Sequence, residues 1–291
     1  MPVTRGLAAV GLLTIGGACA SDAPEVDAAP LAAPNGTTAL ETSPDPAVVT
    51  YVALRAAIVE TGLPWRIRHD ASGVELLLVP RMSFQRGAVE SDTEATADER
   101  PAHAVEVRAP FYLGRYEVSQ AEWERLMGDT PSFFPPEPDG RARPVERVTF
   151  FRAQEFAAAA GLVLPTESQW EAACRAGTTA PRYGPLDDVA WHRGNAGGQA
   201  HASGEKAGNA LGFHDLLGNV WEWTSSGFVA EEYERHTKPI DARGRVRGAP
   251  RAVLRGGSYF DPAKRARASA RYATERELNA AHVGLRVALE L

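Results

Sequence analysis

The sequence has little cysteine, little lysine and no transmembrane run, and each shortage excludes a class of protein. Only two cysteines occur in 291 residues, Cys19 and Cys174, so a disulfide framework is excluded. Lysine occurs at only three positions, so arginine carries nearly all the positive charge, a compositional bias to which we attach no functional weight. The formal net charge of −6 gives no basic field for nucleic acid. The apolar residues 7–15 are too few to span a bilayer.

The N-terminal residues predict export. Arg5 precedes the short apolar stretch, and small residues then lead into Cys19, as in a bacterial lipoprotein signal whose cysteine is lipidated. The alternative is a plain secretory signal cleaved near Ala18 or Ala20. We therefore assign residues 1–20 to a signal segment and expect a protein of the cell envelope, either periplasmic or an outer-membrane lipoprotein, or a secreted one. Its membrane contact would be limited to the lipid on Cys19.

Composition divides the rest of the chain into three parts. Residues 21–46 are rich in Ala, Pro, Asp and Thr, and their lack of large apolar side chains predicts a disordered tether. Residues 47–73 predict a short helix with Val48, Val52 and Val59 on its apolar face, followed by the first strand of a hairpin. The 27 glycines and 21 prolines predict a loop-rich main domain over residues 74–291.

Three helices of the main domain have clear start signals. Ser119 and Thr166 each precede a Glu or Gln by three residues, and this capping-box spacing lets two side chains satisfy free amides reciprocally. Thr149 opens the third helix. Strands are predicted around residues 103–107, 111–116 and 251–259, and a continuous strand over residues 283–289.

The stretch 211–224 (LGFHDLLGNVWEWT) predicts a tight turn followed by a strand. Gly218 and Asn219 tolerate a left-handed backbone, and Trp221 alternates with polar neighbours as strand residues do. Asn219, the carbonyl of Val220 and Glu222 also supply the oxygen ligands that calcium takes. On chemistry alone, a core strand is favoured over an ion site.

The order of seven sequence blocks resembles the formylglycine-generating enzyme (sulfatase-modifying factor) family. The blocks are residues 111–123 (FYLGRYEVSQAEW), 143–146 (RPVE), 164–171 (LPTESQWE), 209–212 (NALG), 218–223 (GNVWEW), 254–259 (LRGGSY) and 284–287 (GLRV). The resemblance implies an α+β fold, a single C-type-lectin-like domain with little regular secondary structure. A related group of sulfoxide synthases adds a helical bundle with a metal motif, and no such motif precedes residue 74.

Active members of the family oxidise a substrate cysteine with oxygen and copper(I), and two thiolates hold the copper. The resemblance places those two cysteines at Asp261 and Ala266 of this chain. A carboxylate and a methyl group cannot form a two-coordinate copper thiolate site, so copper is not expected. Cys174 lies on the apolar face of a capped helix and is expected to be a packing residue.

The resemblance also implies a structural calcium ion at Asn219, Val220 and Glu222. In relatives the segment that carries Ser258, Tyr259 and three arginines lines the substrate groove; the arginines here are Arg255, Arg267 and Arg271. Such arginines could grip an anionic or peptide ligand. The three arginines could equally bind main-chain carbonyl groups and so hold loops in place in a fold with few helices. Asp261 could pair with one of these arginines.

Two functional hypotheses follow. The first is a binding or accessory module of the cell envelope that presents this groove to an unidentified peptide, protein or glycan, without copper-dependent oxidase activity. The alternative is an oxidoreductase of the family, oxidising a protein cysteine or tailoring a peptide or siderophore through a site without cysteine.

Overall fold

Three β-sheets and five short helices make up the described part of the chain, a computed structural model that covers residues 32–138, 142–231, 233, 240–241 and 249–291. The strands are β1 Thr37–Glu41, β2 Arg66–His69, β3 Glu75–Val79, β4 Met82–Arg86, β5 His103–Val107, β6 Phe111–Gly114, β7 Trp221–Gly227, β8 Ile240–Asp241, β9 Ala252–Arg255, β10 Arg271–Thr274, β11 Val283–Leu285 and β12 Ala288–Glu290. The helices are α1 Val52–Glu60, α2 Gln120–Met127, α3 Phe150–Ala159, α4 Glu167–Arg175 and α5 Leu186–Val189.

The sheets mix local and long-range pairing. The largest has the strand order β1-β2-β3-β6-β12 with antiparallel neighbours. In the second, β10-β9-β7-β11, the C-terminal strand β11 lies parallel to β7. The third has the order β4-β5-β8. Short strands joined by long connections give the loop-rich α+β fold that was expected.

The N-terminal segment is more ordered than predicted. Residues 37–41, placed in the disordered tether, form β1 and pair antiparallel with β2, so the predicted tether is wrong at its C-terminal end. An edge strand takes its main-chain partners from its neighbour and needs little apolar burial, so composition did not reveal it. Glu41 adds an ion pair to Arg66 at 2.5 Å. The signal segment, Cys19 and the start of the tether lie outside the described residues.

Helix α1 exists but turns a different face inward. It begins at Val52 rather than at residue 47, and it buries Leu54 and Ile58. Val52 and Val59, predicted to be on the buried face, are exposed. Within the described residues, no helix has the length and apolar character needed to cross a membrane.

The predicted hairpin and helix caps are confirmed. Strands β2 and β3 pair antiparallel. Ser119 caps α2 by accepting the amide of Glu122, whose carboxylate accepts the amide of Ser119 in return. Thr166 forms the same reciprocal cap with Gln169 at the start of α4. These caps depend on residues three apart, so the local sequence was sufficient to predict them.

Helix α4 is the central element of the domain. Every residue from Glu167 to Arg175 is buried, and the helix contacts β4, β5, β7 and β9. Two glutamates and an arginine are therefore enclosed with it. Buried charges need partners, because water cannot solvate them there.

The turn before β7 has the predicted left-handed backbone. The φ angles are 83° at Gly218 and 53° at Asn219. A Cβ atom on Gly218 would lie 2.1 Å from the carbonyl oxygen of Trp191, so glycine is required for close approach as well as for φ. In the strand that follows, the indole of Trp223 donates to the carbonyl of Val148 at 2.7 Å.

The C-terminal strand is divided in two. Residues 283–289 were predicted as one strand, but β11 joins the sheet of β7 and β12 joins the sheet of β6. Arg286 lies between them and turns its side chain into the core, where it pairs with Glu222 at 2.7 Å. The change of sheet lets one short segment connect two sheets around a buried ion pair.

Candidate functional site

The arginines predicted to line a groove are enclosed in the core. Glu167 on α4 accepts hydrogen bonds from Arg86 at 2.7 Å, Arg255 at 2.9 Å and Arg271 at 2.6 Å. Glu171, one turn later, pairs with Arg255 at 2.6 Å. None of these side chains is accessible to a ligand, so the predicted groove role of Arg255 and Arg271 is wrong. They neutralise the carboxylates of a buried helix.

Arg267 is also an internal residue. Its guanidinium pairs with Glu99 at 2.6 Å and with Asp92 at 2.8 Å, and it is 1% exposed. Burial alone would raise the pKa of Glu99, but the hydrogen bond and charge of Arg267 hold that pKa below its usual value. Arg267 therefore holds the connection between β4 and β5 in place. This agrees with the structural interpretation of the arginines and not with ligand binding in a groove.

Two of the three predicted calcium ligands, Asn219 and Glu222, have protein partners for their side-chain oxygens. The side-chain oxygen of Asn219 accepts the amide of His201 at 2.9 Å. Both carboxylate oxygens of Glu222 accept hydrogen bonds from Arg286, and one also accepts the indole N–H of Trp170 at 2.7 Å. The amide of Val220 donates to Glu117. Asn219 and Glu222 therefore do not present free oxygens to a shared point, and this predicted set does not fit a calcium ion.

Asp215, which sequence reasoning missed, fits a cation better. It is buried four residues before Asn219; its Oδ2 accepts the amide of Gly204, whereas its Oδ1 has no hydrogen-bond partner among the described residues. Burial raises the pKa of Asp215 to about 6. Burial, together with the charges of Asp215 and Glu222, raises the pKa of Glu117 well above its usual value. Three buried carboxylates thus lie near the single guanidinium of Arg286.

A calcium ion at Asp215 would need main-chain oxygens as well. In the described ranges, no three His, Cys, Asp or Glu side chains form a group that could hold a metal ion. Calcium accepts backbone carbonyls readily, so main-chain oxygens would have to complete a site at Asp215. The structure alone shows that Asp215 has a positive φ of 56°, a conformation that Asp tolerates better than most residues, so this feature could not have pointed to Asp215 from the sequence.

The two positions that match the copper cysteines differ sharply from thiolates. Oδ2 of Asp261 accepts the indole N–H of Trp221 at 2.8 Å and a short hydrogen bond from the hydroxyl of Ser258. The predicted pairing of Asp261 with an arginine is therefore wrong. Ala266 is buried. Cys174 is buried on α4, where burial raises the pKa of its thiol to about 12, so it is a packing residue as expected.

Aromatic rings surround Asp261 at the surface. Phe260 is 59% exposed and stacks on His282 with ring centroids 5.4 Å apart. Tyr272 is 39% exposed and lies 5.6 Å from the ring of Trp221. We call the surface formed by Phe260, Asp261, Tyr272 and His282, with the buried side chains of Trp221 and Ser258 behind it, the Asp261 surface.

A cavity lies near Tyr259, with the ring of Phe134 between them. Tyr259, one of the predicted groove residues, is almost buried and contacts the ring of Phe134 edge-on at 5.5 Å. Phe134 and its exposed neighbour Phe133 line a cavity of about 520 Å³ that Gln120 and Arg143 also border. Of the five predicted groove residues, Ser258 and Tyr259 thus lie next to the accessible surface, although both are themselves buried.

Comparison with known proteins agrees with this architecture. A family model described as a sulfatase-modifying factor enzyme 1-like domain matches residues 68–291. The chain belongs to this sulfatase-modifying factor family. The PvdO structure from Pseudomonas aeruginosa superimposes with a TM-score of 0.68 at 23% identity, covering 78% of this chain and 98% of PvdO. The C-type-lectin-like fold expected from the sequence blocks is confirmed.

Two relatives within the family carry names of oxidising enzymes. Hercynine oxygenase of Mycolicibacterium smegmatis is 34% identical over 255 residues, which cover 69% of this chain and 58% of that protein. The formylglycine-generating enzyme of Thermomonospora curvata is 32% identical over 209 residues, which cover 64% of this chain and 66% of the enzyme. The chain spans about half the length of the hercynine oxygenases it matches.

Proposed function

We propose that this chain is an exported binding module of the sulfatase-modifying factor family, and that its ligand docks on the Asp261 surface. The observation that carries the proposal is Asp261 itself. A carboxylate fixed by Trp221 and Ser258 replaces a copper-binding cysteine and lies among exposed aromatic rings. Exposed rings clustered around a few polar groups are typical of ligand sites, because the rings supply contact area and the polar groups orient the ligand.

The same residues argue against copper-dependent cysteine oxidation. Copper(I) prefers soft thiolate ligands, and the matching positions hold a carboxylate and a buried methyl group. Cys174 is enclosed in the core and its thiol has a raised pKa, so it does not substitute for either cysteine.

Removing the two exposed rings should abolish ligand capture. We expect the double variant Phe260→Ala/Tyr272→Ala to lose at least about tenfold in affinity, because stacking contacts at a binding surface contribute roughly 1–3 kcal/mol each. The measurement is binding of the full chain to a combined peptide and glycan array. Phe151→Ala removes an equally exposed ring from α3 and should change nothing.

Equal array binding by the double variant and the wild type would overturn the proposal. A parallel assay incubates the protein with copper(I), oxygen and a cysteine-containing sulfatase-motif peptide. We expect no formylglycine, and steady turnover would show that the chain is an oxidase after all.

The envelope location remains a proposal that depends on the N-terminal residues. If Cys19 carries a lipid, Cys19→Ala should move the protein from the membrane fraction to the soluble fraction of the producing cell, because the tether would lose its anchor. Quantitative blotting of the two fractions measures this. Unchanged fractionation would favour the plain secretory signal.

A structural calcium ion is proposed at Asp215. A cation there would offset the excess of buried carboxylates over Arg286, so chelation with EDTA should lower the melting temperature by several degrees. Asp215→Asn should remove most of this calcium dependence. A melting temperature that is the same with calcium and with EDTA would argue against a bound ion.

The second candidate function is an oxidoreductase of the family, and the named relatives favour it. The hercynine oxygenases extend beyond the part that this chain matches, so a redox metal could require residues outside the matched region. Elemental analysis of the protein purified from its native envelope distinguishes the two candidates. A redox metal at one atom per chain would favour the enzyme, whereas calcium alone would favour the binding module.

A further inference from the structure

One carboxylate oxygen of Asp261 is left without a partner among the described residues. Asp261 uses Oδ2 for Trp221 and Ser258, and its Oδ1 accepts no hydrogen bond from the described residues. Asp261 also forms no ion pair within that part of the chain. Its second oxygen is therefore available to accept a hydrogen bond from a ligand.

Three cationic residues lie near Asp261, two of them just after it in the chain and the third on a loop that contacts its main chain. The amide of Arg193 donates to the main-chain carbonyl of Asp261 at 2.9 Å, which brings that loop beside the surface. Lys264 and Arg265 lie on the short 3-10 helix that follows Asp261. Lys264 and Arg193 are exposed and Arg265 is half-buried, and none of these three side chains forms an ion pair or hydrogen bond within the described residues.

We infer that the Asp261 surface binds an acidic saccharide, a sugar chain that carries carboxylate groups. The inference rests on the proposed binding function and names the ligand class for the same site. Sugar rings present flat C–H faces that pack on Phe260 and Tyr272. Their hydroxyl groups donate to Asp261, and their carboxylates pair with Lys264, Arg265 or Arg193 through charge-assisted hydrogen bonds.

Other ligand classes match this pattern less well. A basic peptide would pair with Asp261 but would meet three unpaired cations. An acidic peptide would pair with the cations, but it has few hydroxyl groups to donate to Asp261 and few flat C–H faces to pack on the two rings. A neutral sugar would use the rings and Asp261 and leave the cations without a role. Only a ligand with both hydroxyl and carboxylate groups satisfies the rings, the acceptor and the cations together.

The test uses a matched pair of probes. Tetragalacturonate carries a carboxylate on each sugar, and its methyl ester has the same sugar backbone without the charges. Isothermal titration of the full chain should show the acid binding at least about tenfold more tightly than the ester, because the ester loses the charge-assisted contacts to the cations. The preference should weaken as salt is raised.

Two variants assign the contacts. Lys264→Ala/Arg265→Ala should remove the preference for the acid while leaving ester binding unchanged. Arg81→Ala removes an exposed arginine between β3 and β4 and should leave the preference intact. Asp261→Asn keeps the size of the side chain and should weaken the acid and the ester alike.

The outcomes separate this inference from the proposed function. Equal binding of acid and ester, an unchanged preference in Lys264→Ala/Arg265→Ala, or no binding of either sugar would overturn the acidic saccharide. Selective binding of basic peptides on the array would overturn it as well. In each of these cases the proposed function still stands if array binding depends on Phe260 and Tyr272, and it fails only if that dependence is absent.

Discussion

Replacing Glu167 with alanine is expected to destabilise the protein by about 3–5 kcal/mol, the range seen when one partner of a buried ion pair is removed. Glu167 accepts hydrogen bonds from Arg86, Arg255 and Arg271, and all four side chains are enclosed. The variant would leave three guanidinium groups in the core with fewer partners. Urea denaturation monitored by tryptophan fluorescence measures the loss.

A surface glutamate provides the control. Glu155 on α3 pairs with Arg152 at 2.8 Å, but both side chains are substantially exposed. Glu155→Ala should cost less than about 1 kcal/mol, as expected for an exposed ion pair. If Glu167→Ala were as mild as Glu155→Ala, the buried cluster would not be a main determinant of stability.

The pH dependence of Glu167 has a definite sign. Burial alone would raise its pKa, but the guanidinium groups of Arg271, Arg86 and Arg255 hold the folded-state pKa far below the usual value. The folded protein therefore binds this proton less tightly than the unfolded chain does. The contribution of Glu167 is present above its unfolded pKa and is lost as the pH falls through the folded pKa. The difference in stability between wild type and Glu167→Ala should narrow in acid.

The sequence predicted best those features that depend on neighbouring residues. Ser119 and Thr166 cap helices through residues three positions away, and Gly218 needs a positive φ that only its own turn requires. Such features are encoded locally, so no knowledge of distant contacts was needed. The ordered sequence blocks then predicted the family and its fold.

Features that depend on distant partners could not be predicted in this way. The capping box at Thr166 predicts that Glu167 lies in the first turn of a helix, but it does not predict whether that turn is exposed or buried. Its partners lie 81 to 104 residues away, so neither their number nor their burial is visible in the local sequence. An arginine was one partner that Asp261 could have had, but Asp261 bonds to Trp221, 40 residues away. The groove arginines were misassigned for this reason.

The cluster around Asp215 shows the same limit. Its isolated Oδ1 results from the approach of Gly204 to the other oxygen and of Glu117 and Glu222 to its surroundings. The resemblance to the family drew attention to Asn219 and Glu222, whose side chains have protein partners instead. The candidate cation site thus shifts by four residues, from Asn219 to Asp215, within one turn.

Replacing Arg286 with methionine should destabilise the protein by about 3–5 kcal/mol at pH 8 in EDTA, because a buried charge pair would lose its cation. Arg286 pairs with Glu222 at 2.7 Å and donates to the carbonyl groups of Gly114 and His214. Methionine fills a similar volume without charge. The variant would leave Glu222, Glu117 and Asp215 buried together with no guanidinium among them.

The stability that Arg286→Met loses relative to the wild type should become smaller as the pH falls from 8 to 5. Burial raises the pKa of Asp215 to about 6 even with Arg286 present, and the pKa of Glu117 is raised well above its usual value. The charge of Arg286 lowers both pKa values in the wild type, so they should be higher still in Arg286→Met. Protonation as the pH falls therefore stabilises the folded variant more than the folded wild type. Urea denaturation of both proteins at each pH measures the difference.

A second substitution identifies which carboxylate is responsible. Asp215→Asn in the Arg286→Met background removes one buried charge and should recover part of the lost stability at pH 8. The substitution should also weaken the pH dependence of the stability difference from wild type, because the Asp215 carboxyl group no longer titrates. Coupling between the two substitutions is expected because both belong to one cluster. A deficit that grows on acidification, or that Asp215→Asn leaves unchanged, would show that Arg286 acts through its carbonyl contacts and not by balancing these carboxylates.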